Sequence, residues 1–120
     1  MGTQLAGKTA LITGSSSGIG AGVAVAFAAE GAKVVINYPV DSELHKAEQV
    51  VETIKAAGGE AVAIKADVSD EKQINEMFDS TESYFGSVDI LVNNAGIATS
   101  APVESLPLTD WDRLFAVHVR

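Results

Sequence analysis

The chain has 120 residues, 47% hydrophobic and 20% charged, with a formal net charge of −8 and no cysteine. That size suits one globular domain; the acidity argues against nucleic acid or an anionic membrane surface as partner, and the lack of cysteine excludes disulfide frameworks and thiolate chemistry. The first residues carry no secretory or transit pattern and the longest apolar stretch, Ala21 to Ala29, falls far short of the ~20 residues of a membrane helix, so a cytoplasmic location is expected.

Gly2 to Thr9 satisfies the P-loop pattern G-x-x-x-x-G-K-T, but that motif needs a strand before it and a helix beginning at its Lys-Thr. Lys8 and Thr9 instead open an apolar run, and the NTPase reading is set aside. The run Lys8 to Thr13 predicts a first strand, followed at once by glycines at 14, 18 and 20. Gly14 permits a sharp exit from the strand, Gly18 lets backbone approach a phosphate, and Gly20 lets helix and strand pack closely. Amides at the start of the next helix, with its dipole behind them, form an anion site. Gly14, Ser16, Ser17, Gly18, Ile19 and Gly20 are therefore candidate phosphate contacts.

Ile19, Val23 and Phe27 repeat at helical spacing up to Gly31. Lys33 to Asn37 predicts a second strand, and Leu44, Ala47, Val50, Val51 and Ile54 a second helix ending at Gly58-Gly59; His45, beside Lys46 and Glu48, reads as solvated. Ala61 to Ala66 is a third strand, leading to Asp67-Val68. Ser69, with Asp70 and Glu71 behind it, marks the start of a third helix carrying Ile74, Met77, Phe78 and Phe85 up to Gly86. Val88 to Asn93 is a fourth strand, followed by Asn94, Ala95 and a loop from Gly96 to Pro107. Thr109-Asp110-Trp111-Asp112 fits a Thr-x-x-Asp capping box, and Trp111, Leu114, Phe115, His118 and Val119 share one face of a fourth helix. Short Val/Ile/Leu-rich runs alternating with helices imply a parallel sheet covered on both faces, with right-handed crossovers. With one histidine off the apolar stripes, no cysteine and scattered carboxylates, no metal site is expected.

Four features occur in order: the T-G-x-x-x-G-x-G turn at 13–20, Asp67-Val68 ending the third strand, Asn93-Asn94-Ala95-Gly96 ending the fourth, and Trp111 to His118 in the helix after it. On these the chain resembles the short-chain dehydrogenase/reductase superfamily, and in general look is similar to its 3-oxoacyl carrier-protein reductases and glucose dehydrogenases. The resemblance implies an α/β fold: a Rossmann-type doubly wound parallel sheet of about four strands and four helices, order 3-2-1-4, with residues 1–120 forming the N-terminal part of an NAD(P)-binding domain.

It further implies an NAD(P) cofactor and, in a complete protein, a small alcohol or carbonyl substrate exchanging hydride with it. Adenine then finds an acceptor in the Asp67 carboxylate and a donor in the Val68 N–H. The alternative is that Asp67 only turns the chain toward Ser69. Asn93, Asn94, Ala95 and Gly96 are implied on the ribose and nicotinamide side. The choice between NAD and NADP is read at the end of the second strand, where an acidic residue about 20 positions past the glycines grips the ribose 2′-hydroxyl. Asn37 stands there, neutral, followed by Tyr38 and Pro39, and Ser17 brings no positive charge to the turn. Asp41 and Glu43 lean toward NAD, the missing acid at 37 toward NADP, and both stay open.

Members of the family move a proton with Tyr-x-x-x-Lys, a serine and an asparagine. This chain has no Tyr-x-x-x-Lys: Tyr38 is followed four positions on by Ser42 and Tyr84 by Val88. His118 stands where the asparagine is implied and reads either as a core or interface histidine or as a substitute in a proton relay. The chain is thus expected to hold the cofactor and leave the chemistry to residues after 120; the alternatives are a non-catalytic NAD(P)-binding or regulatory module and an inactive structural fragment. An uncovered Ile90-Leu91-Val92 edge and last helix are expected to recruit a second copy, giving a homo-oligomer.

Overall fold

The structure, a computed structural model, describes residues 4–94. Strand β1 (Thr9–Ile12), helix α1 (Gly18–Ala29), strand β2 (Lys33–Tyr38), a 3-10 turn at Asp41–Glu43, helix α2 (Leu44–Ala56), strand β3 (Glu60–Lys65), helix α3 (Glu71–Phe85) and strand β4 (Ile90–Val92) follow in order. Every strand pairing is parallel and the order is β3-β2-β1-β4, the doubly wound arrangement expected.

The reason lies in which side chains each strand turns to which face. All of β1 is buried, because it has a strand on either side and a layer above and below. Ala10, Ile12, Val34 and Ile36 meet Ala24 of α1 and Ala47 and Ile54 of α2, whereas Leu11 and Val35 point the other way, onto Met77, Phe78 and Phe85 of α3. Period-2 alternation in apolar strands thus feeds two cores at once. The chain runs outward from β1 through β2 to β3 and then returns to the other side of β1 as β4. That reversal puts the switch point of the sheet between β1 and β4, and ligands of such sheets bind beyond the carboxyl ends of the strands there.

Two sequence expectations are corrected. Of Ile19, Val23 and Phe27, the last two pack against the core from half-buried positions but Ile19 is 70% exposed, and the fully buried residues of α1 are Gly20 and Ala24. A helix apolar nearly all round gives no clear stripe, and the smallest side chains allow the closest approach. The start of α3 is held by Asp70 instead of Ser69. Asp70 Oδ1 accepts from Lys72 N at 3.0 Å and its Oδ2 from Gln73 Nε2 at 3.0 Å, while Ser69 bonds to Asp67.

At the amino ends of the strands Thr9 N donates to Asp89 Oδ2 and Asp89 N to Thr9 O, both at 2.9 Å, which holds β4 in register against β1. Helices α1, α2 and α3 run into Gly31, Gly58 and Gly86, all with positive φ. Among the described residues no helix is long and apolar enough to cross a membrane. The predicted fourth helix and the loop before it lie outside the described residues.

Candidate functional site

The chain leaves β1 at Ile12 and must reverse into α1 within a few residues. Gly14 (φ 61°) and Gly18 (φ 60°) take left-handed conformations that side chains resist, and between them the turn is pinned from below. Gly14 N donates to Asn37 Oδ1 at 2.9 Å, Ser15 N to Asn37 O at 3.1 Å, and Asn37 N to Ser15 Oγ at 2.9 Å. Ser15 Oγ in turn donates to Ile12 O at 2.7 Å. From the β4 side, Asn94 Nδ2 donates to Gly14 O at 3.1 Å, and Thr13 Oγ1 donates to Asn93 Oδ1 at 3.2 Å. Gly20 sits against this clamp so closely that a β-carbon there would lie 2.4 Å from Gly14 O and 2.6 Å from Asn94 Nδ2.

The upper part of the same turn is open. Ser15 and Ser16 are buried, but Ser17, Gly18 and Ile19 are exposed, and nothing stands within 4 Å of where a Gly18 β-carbon would be. Ser17 is the N-cap residue of α1, yet its side chain makes no capping hydrogen bond, and the first turn of α1 carries no acidic residue. The first amides of a helix have no acceptor within it. An outside anion therefore meets free N–H groups, the positive dipole end and a surface cleared of side chains.

For Asn37 the structure assigns a use other than the ribose contact read from the sequence. The residue is 1% exposed; besides holding Gly14 it donates from Nδ2 to Ala66 O at 3.1 Å and more weakly to Ile64 O at 3.4 Å. Its side chain ties the ends of β1, β2 and β3 together beneath the turn. The next residue, Tyr38, packs into the core on the other face at 9% exposure.

Across β2, Asp67 and Val68 follow the end of β3. Asp67 Oδ1 accepts from Ser69 N at 2.9 Å and Ser69 Oγ at 2.6 Å, and the hydroxyl bond first, then the amide, hold the carboxyl below the usual aspartate range. The local turn weighed as an alternative is thus present. It occupies one carboxylate oxygen, and no described hydrogen bond uses Oδ2 or the Val68 N–H. Val68 turns its side chain into the core beside Met77. Ala95, Gly96 and His118 lie outside the described residues. Among the described residues no cluster of His, Cys, Asp and Glu is arranged to hold a metal. A groove of about 980 Å³ beside α2, β3 and Tyr84 lies on the outer edge of the sheet and includes none of the turn residues.

The sequence profile described as short chain dehydrogenase matches residues 8–120. The chain belongs to that family. Its relatives in the family include elsinochrome reductase 1 of Elsinoe fawcettii, 42% identical over 98% of this chain and 43% of the relative, and 3beta-hydroxysteroid dehydrogenase 1 of Eggerthella lenta, 44% identical over 97% and 44%. A similar solved structure is a short chain dehydrogenase from Burkholderia cenocepacia J2315 in complex with NADP, with a TM-score of 0.73 and 43% identity over 95% of this chain and 46% of that one. The chain spans less than half the length of these family members. Ser15, and the inward role of Asn37, were missed by sequence reasoning. For Asn37 the available signal was a polar residue at the end of an otherwise apolar strand; Ser15 lies within the glycine turn, among three consecutive serines that the sequence does not distinguish.

Proposed function

We propose that this chain is the cofactor-binding portion of an NAD(P)-dependent oxidoreductase that interconverts an alcohol and a ketone or aldehyde. The observation that carries the reading is the uncapped, exposed start of α1 at the switch point of the sheet. Ser16, Ser17, Gly18 and Ile19 would hold the pyrophosphate through backbone amides, with Gly14 and Gly20 giving the turn its shape. Asp67 Oδ2 and the Val68 N–H would take the adenine amine and ring nitrogen. Asn93, Asn94, Ala95 and Gly96 would border the ribose and nicotinamide, and Asn94 would keep the turn in place. The nicotinamide, when bound, supplies the hydride chemistry.

Among the described residues, those at the site bind and orient, and neither tyrosine stands where it could deliver the proton. Tyr38 is packed in the core, and Tyr84, 63% exposed, sits in the last turn of α3 at the far end of the sheet. The proton donor is assigned to residues beyond these 120. Among the described residues β4 is an edge strand, and such an edge favours contact with further chain or a second copy. A cytoplasmic setting fits the cofactor.

Melting the full chain with each cofactor tests the reading. At 100 times its dissociation constant a ligand adds about 2.7 kcal/mol of stability. A cooperative melt left unmoved by both NAD and NADP overturns the proposal.

A further inference from the structure

Asp67 is exposed, yet little of it is left to move. Its neighbours are anchored: Ala66 is fully buried and its N–H donates to Tyr38 O at 3.0 Å, and Val68 packs beside Met77. Asp67 O accepts from Asp70 N at 3.0 Å, closing a β-turn over residues 67–70. Because the peptide unit is planar and trans, a carbonyl turned toward Asp70 sends the Val68 N–H the opposite way. One oxygen of the Asp67 carboxylate is taken by Ser69. The remaining backbone group, Asp67 N, donates to Gln73 Oε1 at 2.9 Å, in the first turn of α3.

Gln73 is half-buried, unlike Asp67, Ser69 and Asp70, and both ends of its amide are used. Its Nε2 donates to Asp70 Oδ2 at 3.0 Å, while Asp70 Oδ1 accepts from Lys72 N at 3.0 Å. The Ser69 bonds lie within the turn and move with it. The Gln73 bonds instead tie the turn to a helix that Met77 and Phe78 pack onto the sheet. What Asp67-Val68 still offers outward is one acceptor, Oδ2, and one donor, the Val68 N–H, at fixed mutual positions.

We propose that Gln73 is a positioning residue for adenine recognition, fixing the Asp67 backbone so that Oδ2 and the Val68 N–H meet the exocyclic amine and the ring nitrogen together. The inference rests on the cofactor reading above and goes beyond it by adding a residue of α3 that sharpens the choice of base. Without Gln73, water satisfies the exposed Asp67 N–H, so stability changes little, but the donor–acceptor pair gains freedom that binding must then remove. Hypoxanthine carries an oxygen in place of the adenine amine and an N–H in place of the ring acceptor. A rigid pair therefore opposes it at both atoms, whereas a loosened pair can turn aside.

Titration calorimetry on the full chain, with NAD, NADP and the hypoxanthine counterpart of each, tests this. The parent should prefer the adenine form roughly tenfold or more, the scale of a hydrogen bond to a charged group. In Gln73→Ala that preference should narrow about three- to tenfold, through weaker binding of the adenine form, while the Tm moves by only a few degrees. The double variant Gln73→Glu/Asp70→Asn keeps the hydrogen bonds of both side chains, with donor and acceptor exchanged between positions 70 and 73, the same net charge and a good helix cap. It should restore the parental preference. An unchanged preference in Gln73→Ala, an equal loss for both bases, or a double variant no better than Gln73→Ala overturns this inference and leaves the cofactor reading standing. So does a parent chain that binds a dinucleotide without regard to its base. A folded parent that binds none of the four overturns both.

Discussion

Gly20→Ala will cost about 3 kcal/mol, the upper end of what overpacking a tight site does, and lower the Tm by roughly 10–20 °C. The added methyl would stand 2.4 Å from Gly14 O, 2.6 Å from Asn94 Nδ2 and 2.9 Å from Ser15 Cα. Two of these three atoms are backbone of the phosphate turn, so relief requires that α1 move away from the sheet or that the turn open. Either movement also breaks the Asn94 bond to Gly14 O, so cofactor affinity should fall with stability. Gly22→Ala is the internal control. It lies in the same helix, has nothing within 4 Å of its missing β-carbon, and should stabilise the chain by roughly 0.5–1 kcal/mol through its better helix propensity. Thermal or denaturant melts of the two variants decide the matter, and equal tolerance of both would show that the close approach at Gly20 is not a constraint.

Asn37→Asp is the second large effect, and its direction opposes a reading of the motif alone. An acid at this position of the sequence looks like a way to grip a ribose hydroxyl and convert the chain to NAD. In the structure the side chain is 1% exposed and its amide nitrogen faces Ala66 O and Ile64 O. A carboxylate there keeps the bond from Gly14 N but turns an oxygen toward two carbonyls. Leaving a buried acceptor unpaired costs about 1–3 kcal/mol, and burying the charge adds to this. We expect a loss of about 3 kcal/mol at neutral pH with no new preference for NAD. Burial raises the carboxyl's folded-state pKa, so the variant's deficit relative to the parent should shrink as the pH falls and the protonated group can donate to Ala66 O as the amide did. Denaturant melts across a pH series check this. A variant as stable as the parent at neutral pH, with tightened NAD binding, would place this side chain at the ribose after all.

These two positions also show how far a sequence reading reaches. The alternation of buried strands and glycine-ended helices was enough to place every described strand and α-helix to within a few residues, though not the 3-10 turn at Asp41–Glu43, because Val34, Val35 and Ile36 in succession leave a strand no solvent face. The sheet order came from the family resemblance. What was not legible was direction within the site. Asn37 and Tyr38 are consecutive, and only the register of β2 sends one beneath the turn and the other into the core beside α2. A one-residue question of this kind is settled by pleat geometry. Likewise Ser69 and Asp70 are both good helix caps; Asp70 takes that place, its carboxylate accepting from Lys72 N, while the Ser69 hydroxyl donates back to Asp67. Ile19 misled for another reason: in GIGAGVAVAFAA nearly every position is apolar or small, so no periodicity distinguishes the sheet-facing side.

The account rests most on the amides at the start of α1 receiving a pyrophosphate. Amide resonances of the isotope-labelled chain, followed on adding NADP and, separately, adenosine, test that directly. Ser17, Gly18 and Ile19 should shift strongly with NADP and hardly at all with adenosine, which has no phosphate to offer them. Binding of NADP that leaves these three amides unmoved, with the shifts gathered elsewhere on the sheet, would contradict the account.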